Sequence, residues 1–180
     1  EIALTTCNVS GRITPVAGAV PALRKTQMHP VMAFVPAVLY VVALVLGIAG
    51  IAVPGAGAGL TPLAQWMLLV SLGLMSLWAF MGHVFAAEDV ARSIGWSTSP
   101  FQFEVGCANL GIGVAAIAAT FLGGPAGWAV LLVSAGFLWG AAFLHLREMR
   151  TQGNFAINNA GPIFWWDILT PLTLLIGLLL

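Results

Sequence analysis

The chain has 180 residues, of which 60% are hydrophobic and only 7% charged, with a mean hydropathy of +1.01. A soluble domain carries about a quarter charged residues, so this composition excludes a water-soluble globule and leaves a polytopic membrane protein. Six basic residues balance six acidic ones, and a net charge of zero with a pI near 7.1 gives no electrostatic case for nucleic acid.

Residues 1–30 form a polar N-terminal segment with prolines at 15, 21 and 30. It lacks the apolar stretch of a cleavable signal peptide. Arg24 and Lys25, ahead of the first long apolar run, are expected as the flank of a retained signal anchor. A start at Glu1 rather than Met points to a trimmed or processed chain. Asn8-Val9-Ser10 fits a glycosylation sequon, a pattern common by chance. Cys7 and Cys107 belong to no Cys-x-x-Cys pair, so incidental packing is expected of them rather than redox chemistry.

About 20 apolar residues cross the hydrocarbon core as a helix. Five segments approach or meet that length: about 31–53, closed by Pro54; about 63–83; 104–122, closed by Gly123-Gly124-Pro125; 126–146; and 163–180, the shortest. Lipid cannot satisfy backbone polar groups, so each is expected to be helical. The predicted fold is an all-α integral membrane protein, a single bundle of four to five transmembrane helices over residues 31–180. Residues 86–94 suit an extension of the second helix out of the membrane.

With five crossings, Arg12, Arg24, Lys25, Arg92, Arg147 and Arg150 all fall on one side, while the loops at 54–62 and 123–125 carry no base. The positive-inside rule makes that side cytoplasmic, which predicts a multi-pass protein of the cell membrane with its N-terminus inside. Trp66, Trp96, Trp128, Trp165 and Trp166 lie near helix ends or in a loop, where interfacial tryptophan is expected; Trp78 and Trp139 lie within helices. Gly136 and Gly140 form a small-xxx-small pair that lets a second helix approach closely.

Acids and histidines gather at one level. The second and fourth helices end in His83 and His145, the latter followed by Glu148; the third and fifth open near Glu104 and Asp167. Alternating helices place all of these on one membrane face, and His145 and Glu148 share one side of their helix. Imidazole and carboxylate groups from adjacent helices are ligands for zinc, iron or manganese, so His83, Glu104, His145, Glu148 and Asp167 are the candidate metal set. The order His145-x-x-Glu148 reverses the di-iron motif and occurs once, which favours a mononuclear centre over a di-iron one. The competing explanation is structural. Acids suit helix starts and cations suit helix ends, where His145 and Arg147 lie, which accounts for Glu104, Asp167, Arg147 and Arg150 without a site, but less well for His83 and Glu148. Residues 153–162, rich in Gly, Asn and Pro, are expected to cap helices or to cover the cluster as a lid.

Leu77-Trp78-Ala79-Phe80-Met81-Gly82-His83, Ser93-Ile94-Gly95-Trp96, Ser99-Pro100-Phe101-Gln102-Phe103-Glu104-Val105, His145-x-x-Glu148-Met149 and the run from Gly153 through Asn159-Ala160-Gly161-Pro162-Ile163 to Asp167 carry a resemblance. From Gly73 onward, about six-tenths of the chain, the sequence resembles a family of small bacterial and archaeal integral membrane proteins classed only as a domain of unknown function. It also has a looser likeness to the DoxX-type four-helix membrane proteins. The resemblance implies that these polar residues belong to the family's pattern; it implies no activity.

The expected role is a structural, accessory or binding component of a membrane complex, with lipid and either further copies or other subunits as partners. The first alternative is a metal- or cofactor-binding membrane protein, an oxidoreductase by class of chemistry, with a transition metal (zinc, iron or manganese) as cofactor. The second is a carrier of protons or small solutes, disfavoured because no ionisable residue is expected in mid-membrane.

Overall fold

A computed structural model describes residues 30–180. The expectations attached to Cys7, the sequon at Asn8, Arg12, Arg24 and Lys25 lie outside the described residues. Seven helices follow in order: α1 (Val35–Ile48, preceded by a 3-10 stretch, Pro30–Phe34), α2 (Pro62–Phe85), α3 (Ala87–Ile94), α4 (Phe101–Leu122), α5 (Gly124–Gln152), α6 (Ile157–Ala160) and α7 (Pro162–Leu179). Among the described residues, five segments are long and apolar enough to cross a membrane: Val31–Ile48, α2, α4, α5, and α6 with α7. The protein is an all-α membrane bundle.

Local chemistry sets the helix limits and corrects several expected ones. The first helix stops at Ile48 rather than near residue 53, because Gly50 takes a left-handed conformation (φ 71°) and the Ile51 amide closes back on the Leu46 carbonyl at 3.2 Å. Thr61 caps α2 by accepting from the Ala64 amide at 3.2 Å, with Pro62 in the first helical position. Residues Met67–Leu74 within α2 widen into a π-helix. The chain breaks at Ala86 (φ −134°, ψ 36°), so α3 is a separate helix and not an extension of α2. Its sequence is strongly amphipathic: Ala91 and Ile94 are buried, while Glu88 and Arg92 are exposed.

The expected end of α5 near residue 146 also moves. Leu, Arg, Glu, Met and Gln are good helix formers, and α5 continues to Gln152 before Gly153 (φ 63°) ends it. Its 29 residues span about 43 Å, well beyond a hydrocarbon core of about 30 Å. His145 therefore lies inside the helix rather than at its end.

Packing in lipid depends on close contact more than on expulsion of apolar groups from water. Met67, Leu68, Leu72, Leu138 and Leu174 are fully buried in the core. Glycines bring backbones together around them. A Cβ on Gly113 would lie 3.0 Å from the Gly73 carbonyl, so α2 and α4 cross in backbone contact. A Cβ on Gly177 would lie 2.8 Å from the Ala64 nitrogen, where α7 meets the start of α2.

Helix α7 organises the interior. Asp167, Thr170, Thr173 and Gly177, spaced three or four apart, fall on one helical face, and all four are buried. Each meets a different place: Thr170 Oγ1 is 2.8 Å from Ser71 Oγ on α2, and Thr173 Oγ1 is 2.8 Å from Tyr40 Oη on α1. The Gly177 carbonyl accepts from Thr61 Oγ1 at 2.6 Å, and Asp167 faces His145 on α5. Trp166 adds a bond from its indole Nε1 to the Ser71 carbonyl at 2.8 Å, inside the π-helical stretch. Trp166 is thus a core residue (3% exposed) rather than an interfacial one, whereas its neighbour Trp165 is 56% exposed.

Candidate functional site

The polar face is built where the end of α2, α3, the start of α4, the end of α5 and α6–α7 come together. Helix α5 places His145 inward, buried against the start of α7 and the loop after α3. Its Nδ1 lies 2.8 Å from Asn159 Oδ1, and its Nε2 lies 3.6 Å from Asp167 Oδ2. The Trp96 indole stacks on the imidazole, with centroids 5.9 Å apart and planes 17° from parallel.

Asn159 is fully buried and joins three segments. Its amide nitrogen donates to the Asn154 carbonyl at 2.7 Å and to the His145 carbonyl at 3.4 Å, while its oxygen faces the imidazole. Asn154 donates in turn to the Ile94 carbonyl at the end of α3, at 2.9 Å, and its oxygen accepts from the Ala156 amide at 3.1 Å. Asn158 donates to Ser93 Oγ at 2.9 Å, and Ser93 donates to the Val90 carbonyl at 2.7 Å. Gly95 (φ 86°) turns the chain after α3 in front of Asn154; a Cβ there would sit 2.6 Å from Asn154 Oδ1. Glycine at this position lets the backbone reach Asn154 and so brings Trp96 over His145.

The other predicted site residues are placed differently. His83 pairs through Nδ1 with Oε1 of Gln102, a buried side chain in the first turn of α4, which ties the end of α2 to the start of α4. Glu104 is exposed in that same first turn, a favourable position for an acid at a helix N-terminus. Glu148 is half-buried one turn beyond His145 on α5. Asp167 is the sixth residue of α7 and is 3% exposed, so a helix-start position does not account for it. Its Oδ2 makes no hydrogen bond. Of the five candidates, then, His145 and Asp167 face each other, and Glu148 shares the helix of the first. Among the described residues, no three or more His, Cys, Asp or Glu side chains gather closely enough to hold a metal ion.

Sequence reasoning did not single out Gln102, Asn154, Asn158 or Asn159. The signal for the three asparagines was the amide content of 153–162, read as capping or lid; Gln102 stood only within the run Ser99–Val105 that carries the resemblance. Asn154 does make a local turn, but the same amides also bind α3, α5 and the imidazole.

Residues 33–180 match a family of unknown function, DUF6790. The chain belongs to that family. The match begins well before Gly73 and takes in α1 and the start of α2, which had suggested no relationship from sequence. No curated protein and no solved structure matches the chain.

Proposed function

We propose that this DUF6790 protein is a structural, accessory component of a larger membrane assembly, and that its polar face fastens the bundle rather than carrying out a reaction. The observation that supports this reading best is where the hydrogen bonds of the polar face run. His145, Asn159, Asn154, Asn158 and Gln102 each bond to another part of the same chain, tying the connections after α3 and α5 to the helix ends. A side chain fixed by intrachain partners rigidifies a fold and offers little to a substrate.

The outward faces support the assembly half of the proposal. Gly136 and Gly140 are exposed on α5, and a Cβ at either would meet nothing within the chain. They therefore serve no packing inside the bundle, and they leave a face on which a neighbouring helix can approach closely. Leu132, Val133, Trp139 and Phe143 flank them and are exposed as well.

Gentle solubilisation followed by native mass spectrometry tests the proposal. The expected result is an assembly heavier than the 18.8 kDa chain, which Gly136→Leu/Gly140→Leu reduces to the single chain without lowering its melting temperature. A wild-type protein that is monomeric in nanodiscs and in its native membrane would overturn the proposal.

A further inference from the structure

One contact in the polar face is not accounted for by fastening. Asn159 donates through its amide nitrogen to two backbone carbonyls, which fixes the amide's orientation and turns its oxygen toward His145 Nδ1. An amide oxygen can only accept, so Nδ1 carries a hydrogen and donates it. In the neutral ring the remaining nitrogen, Nε2, then holds a lone pair. That lone pair faces Asp167 Oδ2 at 3.6 Å, and Oδ2 is buried with no donor of its own.

Two acceptors facing one another in a buried, low-dielectric place repel unless an electrophile lies between them. A water in line is too large, since bridging two acceptors takes a separation of about 4.5 Å. A divalent metal would find only these two protein ligands. Structural zinc sites use four and catalytic ones three, and no third His, Cys, Asp or Glu is gathered here among the described residues.

We infer that His145 and Asp167 form a buried proton-binding site, holding one proton between Nε2 and Oδ2. The proton has two positions: on Oδ2, donated to the Nε2 lone pair, or on Nε2, where imidazolium faces carboxylate. Either is balanced by the other group, so the pair carries no net charge while one proton is held. Sharing the proton requires the two atoms to close from 3.6 Å to hydrogen-bond length. The groups beside His145 are Trp96 from the loop after α3, Asn159 from α6 and Glu148 one turn along α5. Glu148 is the one further titratable side chain among them. Beyond Asp167, the paired hydroxyls of Thr170 with Ser71 and of Thr173 with Tyr40 continue along the same face of α7. This site does not depend on the accessory role and can fail without it.

The test uses the full chain in nanodiscs with 15N-labelled histidine, His145 signals being identified by their loss in His145→Gln. At neutral pH, nitrogen shifts and the infrared carboxylic-acid band together count the protons on the pair. The expected wild-type result is one proton beyond the Nδ1–H, seen either as imidazolium without the acid band or as the band with a neutral Nδ1–H ring. Asp167→Asn should remove it and leave a neutral Nδ1–H ring; the asparagine amide can still donate to Nε2, so the fold is retained, as elution volume and melting temperature would verify. An ionised Asp167 beside a neutral His145 in the wild type would overturn the inference. So would a ring protonated on Nε2 alone, any other proton count, or one equivalent of transition metal that Asp167→Asn removes.

Discussion

At the end of the bundle where α1 passes to α2 and α4 to α5, the two connections touch each other through backbone, while side chains tie the first of them to α2: Gln65 accepts from the Val53 amide at 2.8 Å and donates to the Leu60 carbonyl at 2.9 Å, and Trp66 Nε1 donates to the Ile51 carbonyl at 2.6 Å. The Gly57 amide donates to the Thr120 carbonyl and the Gly124 amide to the Ala58 carbonyl, both at 2.9 Å. At the other end the connections after α3 and α5 are held by side chains, through Asn154, Asn158, Asn159 and His145. The first solution needs glycine, because strands of backbone must touch. The second uses amides, whose side chains both donate and accept and so join two segments at once. The backbone contact between the two glycine-bearing connections therefore fails by steric intrusion, and the connections after α3 and α5 by orphaned polar groups.

Gly57→Val should have the largest effect on this contrast. A Cβ at Gly57 would lie 2.3 Å from the Gly123 nitrogen and 2.6 Å from its Cα, and backbone cannot yield as a side chain does. A loss of about 3 kcal/mol or more is expected, read as a drop in detergent melting temperature. Wild-type stability in this variant would show that the two turns do not touch.

Asn159→Ala comes next. It strips the partner from the His145 Nδ1–H and from the Asn154 carbonyl in a fully buried place, for an expected loss of about 2 kcal/mol in the same measurement. Asn154→Ala removes one side-chain bond to α3 and should cost about 1 kcal/mol. Its sharper readout is hydrogen exchange: protection should fall around residues 93–99 and stay unchanged around residues 57 and 123. A uniform loss at both ends would break the distinction between them.

The smallest effects are expected from Arg92→Ala and Ser76→Ala, with opposite signs. The Arg92–Asp89 pair (2.8 Å) lies on the exposed side of α3 and should contribute within about 0.5 kcal/mol, fading with added salt. Ser76 Oγ is fully buried without a partner, so its removal should leave stability unchanged or raise it by a few tenths of a kcal/mol, by an order-of-magnitude reckoning of about 0.5. A large loss in Ser76→Ala would mean that the hydroxyl has a partner at that place.

The sequence was most legible where length and hydropathy decide the outcome. The apolar runs locate all five long helices, because lipid leaves the backbone no other choice. It was less legible at the limits. Gly50 stops α1 early, and nothing in the apolar pattern after Leu146 says where α5 ends. The facing of His145 and Asp167 follows from antiparallel neighbours meeting at one level. Their separation from His83, Glu104 and Glu148 as a ligand set depends on helix rotation, which uniformly apolar segments do not encode. Trp165 and Trp166 show the difficulty most simply. They are adjacent and identical in type, yet one is exposed and the other buried against Ser71, because a helix turns by about 100° per residue. Asn159 was hidden for another reason: in a Gly- and Pro-rich loop an asparagine is ordinarily a cap.

The polar stripe of α7 has a consequence for the order of assembly. Helix α7 follows α1, α2 and α5 in the chain, so it enters the bilayer after they do. Until then Tyr40, Thr61, Ser71 and His145 sit on already inserted helices with the partners they will have in the finished bundle still unmade. Hydrocarbon offers these groups only the backbone of their own helices as a substitute, so the half-built protein carries a seam of incompletely bonded polar groups. Closing it is the task of α7, and a chain interrupted before α7 would be sticky rather than merely shorter.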